Sequence, residues 1–311
     1  MQDIAFEIFN ISVYKYGVFV SLGALFALIT ALFSEKRKKL KYGSSILTFV
    51  IAVPLSLLLS RLLFCFTDAA FKPFLTFKNI FNFRLGGMSM FGAILGVILA
   101  AFIASKILNA NVKAQLDAAA PSIMAFVFFE RIGEKHSGIG ISRPLVTGVL
   151  DNSFLSLRGD YDIYLKTWLL EAAAAAVLLA VLFNMLKKDK DGYVFLSWLL
   201  LFGGSQAVFE SLRFDYHMRF AFVGVQQLLA AAFFGTGIIK FACKIKPLNA
   251  KAKIALTLFP ISVLAILGLE FLIDRSSISK WLLYAVYIAI IAVNWALALN
   301  LKKETNINGE S

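Results

Sequence analysis

Charged residues are scarce in this chain. They make up 16% of its 311 residues, whereas 59% are hydrophobic and the mean hydropathy is +0.79. A soluble domain of this size could not cover its surface with so few charges, so the composition predicts an integral membrane protein. Cysteine and histidine are rarer still, with two of each. Their spacing forms no zinc or iron ligand cluster, and Cys65 and Cys243 are expected at opposite ends of their helices, too far apart for a disulfide.

Long apolar runs divide the sequence into about nine segments, each long enough to cross a bilayer as a helix. The sequence therefore predicts an all-α integral membrane protein, with neither an internal repeat nor a soluble domain. The predicted spans are Val13 to Phe33, Ile46 to Phe66, Met88 to Leu108, Leu116 to Ile132, Leu165 to Leu186, Tyr193 to Phe209, Ala221 to Cys243, Ile254 to Ile273 and Trp281 to Leu301.

The placement of lysine and arginine predicts the orientation. Dense basic runs stand beside the first and seventh spans, at residues 36–41 and 240–253. Because cytoplasmic loops retain positive charge, we expect the N-terminus outside and the C-terminus in the cytoplasm. Lysine dominates the inner face, as expected of charges that only orient a chain, so Lys38→Ala should leave function intact. The outer face is richer in arginine, whose planar guanidinium suits phosphate.

Four arginines stand out because a guanidinium cannot shed its charge inside a membrane. Arg61 lies near the end of the second span, and Arg131, Arg143 and Arg213 follow or separate other spans near the same predicted face. A membrane protein retains a buried arginine only where a partner neutralises it or a function requires it. Their grouping predicts a site for an anionic group.

Short motifs rich in glycine, arginine and glutamate stand at the heads and ends of the spans. In chain order they are Tyr14-Lys15-Tyr16-Gly17, Ser60-Arg61-Leu62, Gly86-Gly87-Met88-Ser89-Met90-Phe91-Gly92, Asp117 with Pro121, Arg131-Ile132-Gly133 followed by Gly138 and Arg143, Leu170-Glu171, Phe209-Glu210-Ser211-Leu212-Arg213, and Gln226 or Gln227. The Gly92 to Gly96 spacing allows close helix approach. Two glycines and a serine before a helix start also leave backbone N–H groups open to an anion.

In this order and at this spacing, the motifs resemble those of the prolipoprotein diacylglyceryl transferase family, over roughly residues 10–240. The family counterparts, in the same order, are Trp-Tyr-Gly, Gly-Ala-Arg-Leu, Gly-Gly-Met-Ser-Phe-His-Gly, Asp-x-x-x-Pro, the signature Arg-Ile-Gly-Asn-Phe-Ile-Asn-Gly-Glu-x-x-Gly-Arg, Leu-Tyr-Glu, Val-Glu-Phe-Phe-Arg and Gly-Gln. The resemblance implies a seven-helix transferase-like core at residues 1–250 with an outer cap loop at about 133–164. Residues 251–311 are then an additional C-terminal two-helix hairpin with a cytoplasmic tail.

The resemblance also implies an activity and a location. A family member moves a diacylglyceryl group from phosphatidylglycerol to the lipobox cysteine thiol of a prolipoprotein, in the bacterial plasma membrane and toward its outer face. The partners are then those two substrates and the surrounding membrane lipid. No metal, soluble cofactor or nucleic acid is expected.

The same resemblance assigns roles to individual residues. Arg131 and Arg213 would bind the phosphate and stabilise the leaving group, with Arg61 or Arg143 assisting. The remaining substrate-binding candidates are Tyr16, Gly86, Gly87, Ser89, Glu171, Glu210 and Gln227.

The chain departs from the family pattern at several positions. Phe91 stands where many members have histidine, Glu134 and Ser137 stand where the signature has asparagines, and Ile139 stands where it has glutamate. Since phenylalanine cannot accept a proton, the base that generates the thiolate must come from elsewhere. His136 and Glu134, beside Arg131, are the preferred candidates. Glu130, Glu210 and His217 are the others on the predicted outer face.

Two alternatives stay open. The altered signature fits a catalytically inactive paralogue that binds phospholipid or lipoprotein precursor without transferring anything. A transporter of an anionic solute, with Arg61 in its path, should have paired broken helices and two-fold internal similarity. The sequence shows neither, which makes the transporter the third hypothesis.

Overall fold

The computed structural model describes residues 3–9, 11–144, 152–159, 162–214 and 219–307. His217, one of the candidate bases, lies outside these described residues. Contacts divide the chain into two compact units. The first unit comprises Met1–Ile141, Trp168–Phe195 and Phe214–Met218, and the second comprises Ser142–Thr167, Leu196–Arg213 and Arg219–Ser311.

The structure confirms the predicted fold class. Within the described ranges, nine helices are long and apolar enough to cross a membrane. The short helix α3 is not among them. The helices are α1 Lys15–Arg37, α2 Ser44–Thr67, α3 Phe77–Ile80, α4 Met90–Ile107, α5 Val112–Glu134, α6 Thr167–Met185, α7 Tyr193–Leu212, α8 Val225–Cys243, α9 Ala250–Arg275 and α10 Lys280–Ile307. Single turns of 3₁₀ helix occur at Lys72–Phe74 and Phe83–Leu85.

Short antiparallel strand pairs precede α1, lie between α5 and α6, and lie between α7 and α8. They are β1 Ile4–Ile8 with β2 Ile11–Tyr14, β3 Ser156–Arg158 with β4 Ile163–Leu165, and β5 Arg219–Phe220 with β6 Val223–Gly224. The first pair shortens the predicted first span, because α1 begins only at Lys15. The second pair lies in the segment predicted to form the outer cap, of which residues 145–151 and 160–161 fall outside the description.

Two antiparallel helix pairs dominate the packing of the first unit: α2 lies along α4, and α1 lies along α5. Glycine makes the first pair possible. A Cβ atom on Gly92 would lie 2.4 Å from the carbonyl oxygen of Leu59, and one on Gly96 would lie 2.5 Å from the Cα of Ser56. The close approach predicted from the Gly92 to Gly96 spacing is therefore confirmed.

One lysine of the predicted inner face is not a solvated charge. The Lys38 side chain is 4% exposed, and its Nζ lies 2.8 Å from Oδ2 of the buried Asp117. Asp117 also accepts hydrogen bonds from the backbone N–H groups of Gly192 and Phe195, at the start of α7. The expectation that Lys38 only orients the chain is wrong, because removing it would leave a buried carboxylate without its cation.

The second unit contains the two helices that follow the predicted transferase-like core. Helices α9 and α10 pack against each other and against α8. Asn294 on α10 donates to Ser262 on α9 at 2.8 Å, and Trp295 donates to the carbonyl oxygen of Leu200 on α7 at 3.0 Å. By contacts, the hairpin thus belongs with parts of α7 and α8. The predicted division at residue 250 stays a prediction.

Candidate active site

Arg131 is the centre of a buried cluster of ionisable side chains in the first unit. Its own side chain is 4% exposed, and its Nε lies 2.8 Å from Oε2 of Glu171 and 3.5 Å from Oε2 of Glu130. Its Nη1 donates to Glu134, one helical turn along α5. The three carboxylate side chains are between 0% and 10% exposed. A single guanidinium therefore serves three glutamates from two helices.

Two further side chains complete this cluster. The hydroxyl of Tyr16, in the first turn of α1, donates to Oε1 of Glu130 at 3.1 Å. The Nη2 of Arg131 lies 2.9 Å from the sulfur of Met90, the first residue of α4. Helices α1, α4, α5 and α6 thus all contribute to one polar group of side chains, which we call the Arg131 cluster: Tyr16, Met90, Glu130, Arg131, Glu134 and Glu171.

The Arg131 cluster brings acidic and basic side chains of different helices together. Glu130 and Glu134 come from α5, as Arg131 does, and Glu171 comes from α6. Charged groups buried within membrane-spanning segments are kept with partners and mark functional sites. A guanidinium among carboxylates offers both an anion-binding group and candidate proton acceptors.

His136 lies two residues beyond the end of α5 and is tied to the N-terminal strand pair. Its Nδ1 lies 2.8 Å from Oδ2 of Asp3, and its ring stacks on Phe19 with 5.6 Å between centroids. The hydrogen bond with His136, helped by the positive charge of Lys15, lowers the pKa of Asp3. An ionised Asp3 holds the imidazole with Nδ1 toward the carboxylate, which leaves Nε2 as the ring nitrogen for proton exchange.

Arg61 has a different environment from that of Arg131. Its Nε donates to the carbonyl of Ile80 at 3.0 Å, its Nη2 to those of Asn79 and Asn82 at 2.8 and 3.3 Å, and its Nη1 to those of Gly86 and Gly87. All five N–H groups of the guanidinium are thereby directed at backbone oxygens. Phe71 covers it, with 4.8 Å from Cζ to the ring centroid. Arg61 organises the segment between α2 and α4.

The glycine pair contributes to this segment through its backbone shape. Gly86 and Gly87 have φ angles of +67° and +78°, which a residue with a side chain rarely adopts. A Cβ on Gly87 would also lie 2.2 Å from the ring of Phe64. Ser89 then caps α4 by accepting from the N–H of Gly92 at 3.4 Å. The carbonyl oxygens of both glycines face the guanidinium of Arg61. The anion-binding role predicted for the N–H groups of this motif stays a prediction.

The remaining predicted site residues lie in the second unit. Arg213 is 4% exposed at the end of α7, where its backbone forms a bridge with Ser142. Glu210 lies one turn earlier on the same helix. Arg143 has its Nη1 3.4 Å from Oδ1 of Asp274. Burial, followed by the nearby charge of Arg143, lowers the pKa of Arg219.

Gln227 lies in the first turn of α8 and is 5% exposed. Its Nε2 donates to Oε1 of Glu270 at 2.6 Å and to the hydroxyl of Tyr287 at 3.0 Å. Its Oε1 accepts from the N–H of Gly224 at 3.4 Å. The predicted substrate-binding glutamine is therefore held by residues of both α9 and α10.

Comparison with known proteins agrees with the family resemblance of these motifs. The family model described as prolipoprotein diacylglyceryl transferase matches residues 3–243. The chain belongs to the prolipoprotein diacylglyceryl transferase family. It is thus a multi-pass membrane enzyme and a diacylglyceryl transferase, as the sequence motifs imply. The match spans Tyr16, Arg131, Glu171 and Gln227 and ends before α9 begins.

Relatives in clostridia are similar over nearly their whole length. A phosphatidylglycerol–prolipoprotein diacylglyceryl transferase of Clostridium botulinum, strain Loch Maree, is 29% identical over 253 residues, covering 77% of this chain and 98% of the relative. One of Clostridium kluyveri, strain ATCC 8527, is 30% identical over 254 residues, covering 75% and 96%. About a quarter of this transferase therefore lies outside its match to either relative.

Sequence reasoning did not foresee several residues of these polar groups. Glu130 was considered only as a base, whereas it also joins Tyr16 to the Arg131 cluster. Glu270 and Asp274 had no predicted role. A signal was present for Glu270, because a lone carboxylate within the apolar run Ile254 to Ile273 marks an intramembrane residue with a partner or function.

Proposed function

We propose that this chain moves a diacylglyceryl group from phosphatidylglycerol to the lipobox cysteine thiol of a prolipoprotein, at the outer face of the bacterial plasma membrane. The family assignment favours this reaction over transport of an anionic solute. The N-terminus outside and the C-terminus in the cytoplasm follow from the basic runs and belong to the proposal.

The observation that carries the proposal is the Arg131 cluster. It joins Tyr16, Arg131 and Glu171, which come from three separate motifs that resemble those of the family, and both Arg131 and Glu171 are buried. Burial strengthens the interaction of a guanidinium with a phosphate and with the charge that develops on a leaving phosphate. The phosphate-binding roles of Arg213 and Arg143 in the second unit stay predictions from the sequence.

The proposed step transfers one group and one proton. The cysteine thiol gives its proton to a base, and the thiolate sulfur attacks the glycerol carbon that carries the phosphate. A carbon–sulfur bond forms as the carbon–oxygen bond to phosphate breaks, and glycerol phosphate leaves with the bonding electron pair. Arginine stabilises that leaving group, and the proton passes from the base to glycerol phosphate or to water.

We assign the base to the Arg131 cluster, with Glu134 as the proton acceptor. An adjacent arginine stabilises a carboxylate and so weakens it as a base. Glu134 nevertheless contacts the guanidinium that is proposed to bind the phosphate, which places a proton acceptor beside the reacting group. His136 is the second candidate, because its contact with Asp3 orients the imidazole.

A transfer assay tests the proposal. Purified protein in detergent is given phosphatidylglycerol and a lipobox peptide, and mass spectrometry detects the diacylglyceryl adduct on the cysteine. We expect an adduct that Arg131→Ala abolishes and that the matched control Arg158→Ala preserves, because Arg158 is exposed on β3. Glu134→Gln and His136→Gln then separate the two candidate bases.

The same assay identifies the inactive paralogue. Absence of adduct from the unaltered chain, beside an active transferase run in parallel and with phosphatidylglycerol still bound, would contradict transfer and leave lipid binding as the function. Equal losses from Arg131→Ala and Arg158→Ala would contradict a localised arginine site.

A further inference from the structure

Helices α9 and α10 lie beyond the family match, yet their polar side chains contact residues within it. Gln227 on α8 meets Glu270 of α9 and Tyr287 of α10. The hydroxyl of Tyr284 donates to the carbonyl oxygen of Ser211 on α7 at 3.0 Å, and that of Tyr287 donates to Ala207 at 3.1 Å. These contacts all lie in the second unit.

Two acidic residues of the hairpin, Glu270 and Asp274, share one face of α9. Glu270 and Asp274 are four residues apart, which places them one above the other on a helix. Glu270 is 1% exposed and accepts a hydrogen bond from Gln227. Asp274 lies 3.4 Å from Arg143 and borders a cavity of about 320 Å³ that Phe222, Phe271 and Arg275 also line. Each carboxylate thus holds a residue proposed to bind substrate.

A simple membrane anchor would not need Glu270. A carboxylate buried in an apolar helix is costly unless hydrogen bonds compensate for lost water, and packing alone would favour an apolar residue there. The Asn294 to Ser262 contact already joins the two helices to each other. Glu270 instead accepts a hydrogen bond from the side-chain Nε2 of Gln227. The side-chain Oε1 of the same glutamine accepts from the backbone N–H of Gly224.

We infer that Glu270 is a positioning residue: it fixes the side chain of Gln227, as Asp274 does for Arg143, so that the hairpin holds two proposed substrate-binding residues of the second unit in place. The inference rests on the proposed function, because Gln227 and Arg143 are substrate-binding residues only in that proposal. In this chain the C-terminal hairpin therefore determines how well the donor lipid binds, in addition to adding two membrane spans.

The test is Glu270→Gln in the full chain, with kinetics measured against phosphatidylglycerol. We expect KM to rise about tenfold with kcat within about twofold, because loss of the anchoring carboxylate affects binding by way of Gln227. Glu304→Gln is the matched control, since it makes the same change on the same hairpin at a partly exposed residue paired with Lys251. It should leave both constants unchanged.

A double-mutant cycle separates positioning from general stability. If Glu270 acts through Gln227, then Gln227→Ala and the double variant with Glu270→Gln should have the same KM, so the two effects do not add. A purely structural role predicts a lower melting temperature in detergent and fewer active molecules with unchanged KM. That result, or effects of the two substitutions that simply multiply, would overturn the inference.

A second measurement does not depend on activity. Hydrogen exchange of the backbone amides at residues 224–227 should be faster in Glu270→Gln than in the unaltered chain or in Glu304→Gln, because Gln227 then holds Gly224 less firmly. If the unaltered chain forms no adduct, the proposed function fails, and this measurement still decides whether Glu270 fixes Gln227. Unchanged exchange would refute it.

Discussion

Arg61 and Arg131 are two buried arginines of the same unit with opposite surroundings. Arg61 is 1% exposed and directs all five N–H groups at backbone carbonyl oxygens of the segment between α2 and α4. Arg131 is 3% exposed and lies among three glutamates and the hydroxyl-bearing Tyr16. From the sequence, both were candidates for the same anionic ligand.

The difference shows what a buried arginine can do. Backbone carbonyls are neutral and cannot change protonation, so Arg61 has a fixed structural environment. Carboxylates are charged partners and candidate proton acceptors, and a guanidinium that contacts them is also a group that binds phosphate. The chemistry of the partners, which burial and sequence position do not reveal, separates a residue that shapes the protein from one that is suited to catalysis.

The largest effect is expected at Arg131. Arg131→Lys keeps the positive charge but replaces a planar fork by a point charge with three donors, which cannot face phosphate and carboxylates in the same way. We expect transfer to fall by about 100-fold or more, in line with the loss of a charge-stabilising donor, while the melting temperature changes little. Initial rates of adduct formation and thermal unfolding in detergent measure the two quantities.

A lysine that supports near-normal transfer would contradict this prediction, because charge alone would then suffice. Lys303→Arg is a control for exchanging one basic side chain for the other, since Lys303 is exposed on α10.

The second effect, on stability, concerns Arg61. Arg61→Ala removes five charge-assisted hydrogen bonds and leaves several carbonyls of the segment without a donor, so the free energy of unfolding should fall by about 5 kcal/mol. The segment at residues 72–87 should then become sensitive to limited proteolysis. Transfer should fall only in proportion to the folded fraction. A stable variant with intact protection and poor transfer would place Arg61 in the lipid site instead.

Much of the fold could be predicted from the sequence because apolar length is a strong constraint in a membrane. The nine spans follow from runs such as Ile46 to Phe66, and the close contact of α2 and α4 follows from Gly92 and Gly96. Exact helix ends could not be predicted so well. Asn111 and Asn249 cap α5 and α9 with their side chains, so both helices begin before the apolar run does.

Part of the Arg131 cluster could be predicted from motifs, whereas most of its contacts could not. Arg131, Glu171 and Tyr16 were identified by motif, and the structure places them in one cluster with Glu130. The hydrogen bonds of Arg61 to backbone carbonyls and of Gln227 to Glu270 could not be predicted from the sequence. Both depend on which segments fold next to each other. A sequence pattern reports residue type and spacing, and tertiary contacts decide the partner.

The third effect concerns Lys38, a buried cation whose carboxylate partner, Asp117, also accepts two backbone hydrogen bonds. Lys38→Ala leaves Asp117 buried with two backbone N–H donors and without its cation, so the free energy of unfolding should fall by about 3 kcal/mol. Lys303→Ala, at an exposed lysine near the same predicted face, should stay within about 0.5 kcal/mol. Thermal unfolding in detergent compares the two variants. Equal stability of the two variants would mean that Lys38 only orients the chain, as predicted for the lysines of the inner face.

The smallest effect is expected where a similar contact is exposed to water. Asp3 is half exposed and pairs with His136 and Lys15, so solvent screens the interaction. Because these partners lower the pKa of Asp3, its contribution is complete above the ordinary aspartate pKa of about 3.9 and is lost as the pH falls through the lower value of the folded protein. Hydrogen exchange of residues 3–14, corrected for intrinsic rates, should show this acid-induced loss in the unaltered chain and a flat profile in Asp3→Asn. The same acid response in both proteins would mean that another group controls the strand pair. It would also remove the reason for regarding His136 as an oriented base, and would leave Glu134 of the Arg131 cluster as the remaining preferred proton acceptor.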